Sequence, residues 1–180
     1  MGYQILSFLL EVAAGLLGGA CLLRMYMQHQ RVPFGNPIGR FVFALTNWLV
    51  LPLRRVLPAI GRWDTASLVA AYLVKLAQYS ILWALVSRAG YGFVFVSAMF
   101  GLAQLALSAM TALVIVYAIL SWVQSDSLIA DVVDRLCAPL LRPFRRVIPL
   151  VGGIDLSPLA LLVLLQVASM VLQGVARGAY

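Results

Sequence analysis

Two arginine pairs have more chemistry to offer than any other groups in the chain. They stand in Pro52-Leu-Arg54-Arg55-Val-Leu-Pro58-Ala-Ile-Gly61-Arg-Trp-Asp64 and in Pro143-Phe-Arg145-Arg146-Val-Ile-Pro149-Leu-Val-Gly152-Gly-Ile-Asp155. The two segments are offset by 91 positions throughout and are identical at seven of thirteen, namely the two prolines, both arginines, one valine, the glycine and the aspartate. A guanidinium offers several fixed N–H donors and suits phosphate or carboxylate. Pairs bracketed by prolines therefore point to an anionic lipid or an acidic partner. Setting topology alone would need only loosely spaced basic residues. Asp64 and Asp155 each precede an apolar run, where a carboxylate caps the first turn of a helix and complements its dipole. Each can also pair with the arginines before it. Pro158, in the first turn after Asp155, fits a helix start because its missing N–H has no helical partner to lose.

Other reactive groups are sparse. Glu11 and Lys75 lie inside apolar runs, where ionisable residues are functional candidates by default. They either neutralise one another between adjacent helices or line a polar path with Gln78, Gln104 and Gln166. His29 follows the first apolar run among Gln28, Gln30 and Arg31 and reads as a solvated loop residue. Cys21 and Cys137 have no pair spacing and no metal motif. No catalytic residue, nucleophile elbow, phosphate-cradling glycine loop or metal-ligand set emerges. Neither an enzyme nor a cofactor is expected.

The elements that must position these groups follow from composition. Of 180 residues, 63% are hydrophobic and only 11% charged, with a mean hydropathy of +0.99. One small core cannot hide such an excess, and lipid is the medium that accepts it. This excludes a soluble enzyme, a disordered tail and a secreted disulfide scaffold. Four charge-poor stretches reach the ~20 residues needed to cross a bilayer: about 4–27, 65–86, 91–124 and 156–176. The third exceeds one perpendicular span, so it tilts or projects. Small residues at helix-packing spacing (Gly15 with Gly19, Ser97 with Gly101, Gly174 with Gly178) predict close helix contacts.

Thirteen Lys+Arg against six Asp+Glu give a net charge of +7. Arg24, Arg31, Arg40, Arg54, Arg55 and Arg62 border or occupy the first connection, and Arg135, Arg142, Arg145 and Arg146 the second; only Arg88 and Arg177 lie opposite. That asymmetry places both long connections in the cytoplasm and both termini outside. It also explains the basic balance without nucleic acid, and no nucleic-acid contact is expected. Within the second connection Leu128, Val132, Leu136 and Leu140 recur every four residues, the pattern of a helix lying in the interface. Its counterpart, 38–51, is more apolar and too short to cross; it lies flat or dips in as a re-entrant segment.

The duplication divides the chain into halves 1–90 and 91–180, each with two spans. An even number of spans per half lets both enter the membrane in the same sense, so both Pro-x-Arg-Arg elements face one side. The expected fold is an all-α membrane protein. It has four transmembrane helices as two tandem parallel-oriented hairpins, each with a short interfacial or re-entrant helix on the cytoplasmic side.

The Phe34-Gly-Asn-Pro37 turn and the repeated Pro-x-Arg-Arg-x-x-Pro-x-x-Gly element closely resemble the YggT family, called YlmG in Gram-positive bacteria and plastids. The resemblance covers nearly the whole chain as two YGGT repeats. Ser125-Asp126-Ser127 departs from it, where the first repeat has its Phe-x-Asn-Pro turn. The resemblance implies a small multi-pass protein of the bacterial inner membrane, with links to osmotic tolerance, ion homeostasis, division-gene neighbourhoods and cytochrome assembly. Together the residues and the resemblance lead to a non-enzymatic scaffold or assembly factor. Arg54, Arg55, Arg145 and Arg146 would engage anionic phospholipid or membrane-protein partners, a second copy of the chain among them. At about 1 kcal/mol each near an anionic surface, the four contribute roughly 4 kcal/mol, small beside four inserted spans. The alternative is a channel-like or transport-modulating protein that uses Glu11 or Lys75.

Overall fold

The computed structural model describes residues 1–86, 92–123, 127–148 and 155–178. Its helices are α1 (Gly2–His29), α2 (Pro37–Val56), α3 (Thr65–Val86), α4 (Gly92–Val123), α5 (Leu128–Arg145) and α6 (Ser157–Gly178). Four of them, α1, α3, α4 and α6, are long and apolar enough to cross a membrane. At ~1.5 Å per residue, the 22 residues of α3 and of α6 cover about 33 Å. The 32 residues of α4 cover about 48 Å, more than the ~30 Å of hydrocarbon, so α4 tilts or projects. Large apolar side chains such as Phe8, Val163 and Met170 point outward from these helices, as a lipid-facing surface requires.

α1 packs along α3, and α4 along α6; α3 and α4 join the pairs, with a smaller contact between α1 and α4. α2 lies across α1 and α3, and α5 across α4 and α6. Alanines let the first pair approach closely: Ala66, Ala70 and Ala71 of α3 are buried against Cys21 and Leu22 of α1 and Val50 of α2. Val114 and Tyr117 of α4 meet Val133, Cys137 and Leu141 of α5 and Leu161 and Leu165 of α6. A third cluster joins the two: Met27 and Val32 pack on Val132 and Leu136 of α5, with Ile38 of α2 against them. α5 and the start of α2 therefore occupy one end of the bundle.

The connecting helices differ from the expected segments in informative ways. α2 does not end before Pro52 but continues to Val56. A proline forfeits one backbone hydrogen bond and crowds the preceding turn, yet packing on α1 and α3 carries the helix one turn further. The Pro-x-Arg-Arg elements are thus the last turns of helices rather than connections. Pro52 stands inside α2 and Pro143 inside α5, with Arg54, Arg55 and Arg145 in the final turns, where positive charge complements the helix dipole. The turn proper holds Pro58, Gly61 and Asp64. Ile60 and Trp63 exchange backbone hydrogen bonds around Gly61, whose φ of +62° favours glycine. Pro149 and Gly152 lie outside the described residues.

In α5 the buried side chains are Val132, Val133, Leu136, Cys137 and Leu141, whereas Leu128 is exposed. A four-residue repeat drifts across a helix of 3.6 residues per turn, so the expected stripe leaves the buried face at its ends. The start of α5 also accounts for the departure at 125–127. The Ser127 side chain accepts from the Ala130 N–H at 3.2 Å, as the Asn36 side chain accepts from the Gly39 N–H at 2.8 Å. Both are N-caps, and they stand 91 positions apart.

Of the small-residue pairs, Ser97 and Gly101 serve packing: both are buried, and a Cβ on Gly101 would lie 2.6 Å from the Tyr79 ring. Gly15 and Gly19 do not pack within the bundle. They line an apolar cavity of about 520 Å³ between α1 and α4, while Gly18 takes the close contact with Leu105. Gly174 and Gly178 meet no neighbour.

Candidate functional site

In the first half the corner where α1, α2 and α3 meet is built on a buried carboxylate. Asp64, fully buried, caps α3: its Oδ1 accepts from the Ser67 N–H at 3.3 Å and its Oδ2 from the Ser67 hydroxyl at 2.7 Å. Arg54, in the last turn of α2, donates to the same Oδ2 and to Gln28 Oε1 at 2.9 Å. Arg24 enters from α1, wholly buried, with its Nε 3.8 Å from Asp64 Oδ2. Its Nη1 donates to Thr46 Oγ1 and Asn47 Oδ1, both at 2.8 Å, and its guanidinium lies 4.6 Å above the Phe43 ring. Three helices are thus tied through one aspartate, and the cluster carries one positive charge in excess.

The second corner repeats the pair with fewer partners. Arg145 Nε donates to Asp155 Oδ2 at 2.8 Å, and its Nη2 donates to the Tyr117 hydroxyl. Asp155 Oδ1 accepts from the Ser157 N–H at 2.9 Å at the start of α6. Its carboxylate is wetter: the Arg145 and Asp155 side chains are 39% and 22% exposed, whereas Arg54 and Asp64 are 36% and 0% exposed and the additional Arg24 only 2%. Each aspartate serves both as a helix-start acceptor and as an arginine partner.

The arginine pairs are consequently split. Arg54 and Arg145 are spent on internal aspartates. Arg55 and Arg146 are exposed, and among the described residues neither takes part in an ion pair or a side-chain hydrogen bond. The valine after each is exposed as well, Val56 at 77% and Val147 at 80%. Sequence reasoning counted Arg24 only toward topology, saw Thr46 and Asn47 as polar members of the segment 38–51 without assigning them a partner, and passed over Tyr117. The available clue was an arginine inside an apolar run facing a segment with two isolated polar residues, since buried polar groups find partners.

The intramembrane groups are not brought into one path. Lys75 Nζ donates to Gln78 Oε1 at 2.9 Å, both side chains buried. No direct ion pair joins Lys75 to Glu11, which is exposed on α1, although the Glu11 carboxylate is near enough to act on the ammonium through space. Gln104 donates to Ser169 Oγ of α6 at 2.6 Å, and Gln166 faces outward. His29 is not a free loop residue: its ring packs on Trp63 at 4.5 Å between centroids. Cys137 offers no thiolate, because burial and the nearby Asp134 push its thiol up to about 12. Among the described residues no group of three or more His, Cys, Asp or Glu could hold a metal ion.

The two corners respond to acid. Burial alone would raise the Asp64 carboxyl, but hydrogen bonds from Arg54 and Ser67 outweigh it and hold the group below its usual range. Asp155 is held down in the same way, against its burial, by Ser157 and Arg145. A depressed folded value adds stability above the unfolded carboxylate pKa of about 4, and that stability is lost as pH falls through the folded value. The thermal midpoint in detergent is therefore expected to drop as pH falls below about 4. A midpoint unmoved by acid would contradict the pairing.

Comparison with known proteins gives a consistent result. The family model described as CCB3/YggT matches residues 3–85 and 96–176. "Uncharacterized protein YggT" of Escherichia coli K12 is 38% identical over 166 residues, covering 92% of this chain and 87% of that protein. "Uncharacterized protein in proC 3'region" of Vibrio alginolyticus is 34% identical over 168 residues, covering 91% of each. "Uncharacterized protein PA0392" of Pseudomonas aeruginosa is 34% identical over 157 residues, covering 84% of this chain and 80% of that protein. No solved structure matches the chain.

Proposed function

This chain belongs to the CCB3/YggT family, and from that premise we propose that it is a non-enzymatic membrane scaffold that gathers anionic phospholipid at the ends of α2 and α5. In this reading residues 1–90 and 91–180 are two hairpin repeats inserted in the same sense. Both corners lie at the cytoplasmic leaflet of the bacterial inner membrane, and both termini lie outside. The observation that carries the reading is the split within each arginine pair. One arginine is neutralised by an aspartate and holds the corner in shape, while the other, Arg55 or Arg146, is left exposed beside an exposed valine. A cation next to apolar surface at a helix end suits a phospholipid, whose phosphate and acyl region lie side by side. A soluble acidic partner would have no use for the valines. Partner membrane proteins would be engaged through the lipid held there.

The test is the variant Arg55→Gln/Arg146→Gln, reconstituted in bilayers containing brominated phosphatidylglycerol or brominated phosphatidylcholine. Trp48 and Trp63, both exposed near the first corner, report lipid contact through quenching. The native chain is expected to be quenched preferentially by phosphatidylglycerol. Losing one arginine from each corner, at about 1 kcal/mol, should cut that preference roughly fivefold at the first corner, where the tryptophans report, while leaving insertion intact. An unchanged preference would remove the proposal.

A further inference from the structure

The 91-residue offset aligns the buried faces of the connecting helices and exposes how far their outer faces have diverged. Val42, Thr46 and Val50 of α2 are buried, and so are their counterparts Val133, Cys137 and Leu141 of α5. The two helices therefore sit on their halves in the same rotational setting. On the outer face of α2 lie Arg40, Ala44, Trp48, Leu51 and Arg55, all exposed, Arg40 standing where α5 has the exposed Asp131. The positions of α5 that correspond to Ala44, Leu51 and Arg55 hold Arg135, Arg142 and Arg146, all exposed. Between Arg40 and Arg55 one duplicated surface thus became apolar and aromatic, and the other became a ridge of three arginines.

Among the described residues the ridge makes no ion pair. Arg142 and Arg146 are one helical turn apart, about 6 Å along the axis at ~1.5 Å per residue, and Arg135 is about 10.5 Å before Arg142. The nearest acids in sequence are Asp131, one turn before Arg135, and Asp134 beside it. Among the described residues neither forms an ion pair with the ridge. Pro143 and Val147, exposed between and beyond the last two arginines, give that end an apolar flank.

We propose that the outer ridge of α5, Arg135, Arg142 and Arg146, is a docking surface for a lipid headgroup carrying two phosphates, a specificity absent from α2. This rests on the reading of Arg55 and Arg146 as lipid-facing and names the lipid class for the second half. A single phosphate spans the one turn between Arg142 and Arg146 but leaves Arg135 unmatched; a second phosphate on the same headgroup completes the ridge. The apolar flank at Val147 selects a lipid over a soluble acidic segment. On α2 the positions of Arg135 and Arg142 are Ala44 and Leu51, so Arg55 meets phosphate with no second arginine close by on that face; Arg40 lies 15 residues, about 22 Å, along the helix.

The test uses the full chain in neutral detergent, with cardiolipin and phosphatidylglycerol titrated separately and bound lipid counted by native mass spectrometry. The native chain should prefer cardiolipin at least about tenfold. Arg135→Gln should lose that preference while keeping its affinity for phosphatidylglycerol, because Arg142 and Arg146, which take the single phosphate, and Arg55 remain. The substitution is on an exposed side chain, and an unchanged thermal midpoint confirms that the corner is intact. A cardiolipin preference that persists in this variant, or is absent from the native chain, overturns the proposal. So does tighter binding of a polyglutamate peptide than of cardiolipin, which would assign the ridge to a soluble acidic partner. Failure of the underlying lipid reading has a separate signature: phosphatidylglycerol binding unaffected in Arg55→Gln/Arg146→Gln.

Discussion

Replacing Asp64 with asparagine is expected to destabilise the protein by about 3–5 kcal/mol, the usual result of leaving a buried charge without its partner. Asparagine keeps the size of the side chain and can still cap α3, so the variant isolates the loss of charge. Arg24 would then remain wholly buried beside Arg54, with no carboxylate between two guanidiniums. The same change at Asp155 should cost about 1 kcal/mol or less, because that pair is partly solvated and water screens it. Thermal unfolding in detergent, followed by tryptophan fluorescence, measures both. Equal shifts for Asp64→Asn and Asp155→Asn would show that the two corners are energetically alike and would defeat the assignment.

Gly39→Ala is expected to be the other severe substitution. A Cβ at this position would lie 2.4 Å from the Phe34 carbonyl oxygen and 2.6 Å from its Cα, both backbone atoms that cannot rotate aside. The turn cannot simply open, because Phe34 is stacked on Phe43 at 4.6 Å. Overpacking of this kind costs about 1–3 kcal/mol, and displacing Gly39 also breaks the Asn36 cap, worth about 1 kcal/mol. The counterpart Ala130→Gly should cost only the ~1 kcal/mol of helix propensity. Faster cleavage at residues 33–37 in limited proteolysis, together with a lowered midpoint, is the expected readout. A Gly39→Ala protein as stable as the native chain would show that the Phe34 backbone yields, contrary to this account.

The duplicated motif was legible as a motif but not as a structure. Proline at 52 and 143 reads as a boundary, because in isolation it ends helices. Here packing and the Arg54–Asp64 and Arg145–Asp155 ion pairs sustain one more turn, and no local rule anticipates energy that comes from another helix. The same reason hid Arg24. Its partners are 22, 23 and 40 positions away, at Thr46, Asn47 and Asp64, and only the meeting of α1, α2 and α3 brings them together. The departure at Ser125-Asp126-Ser127 concealed an equivalence, since serine and asparagine both cap helices by presenting one oxygen.

Composition and periodicity were enough to establish four helices long and apolar enough to cross a membrane, a basic bias toward two connections and an internal doubling. Those properties are summed along the chain, and every residue contributes to them independently of its neighbours in space. Which arginine of each pair is neutralised, why one corner is dry and the other wet, and how α2 and α5 came to present opposite outer faces depend on where distant side chains converge. Burial and charge pairing are set by that convergence, so they belong to the folded arrangement and to nothing shorter.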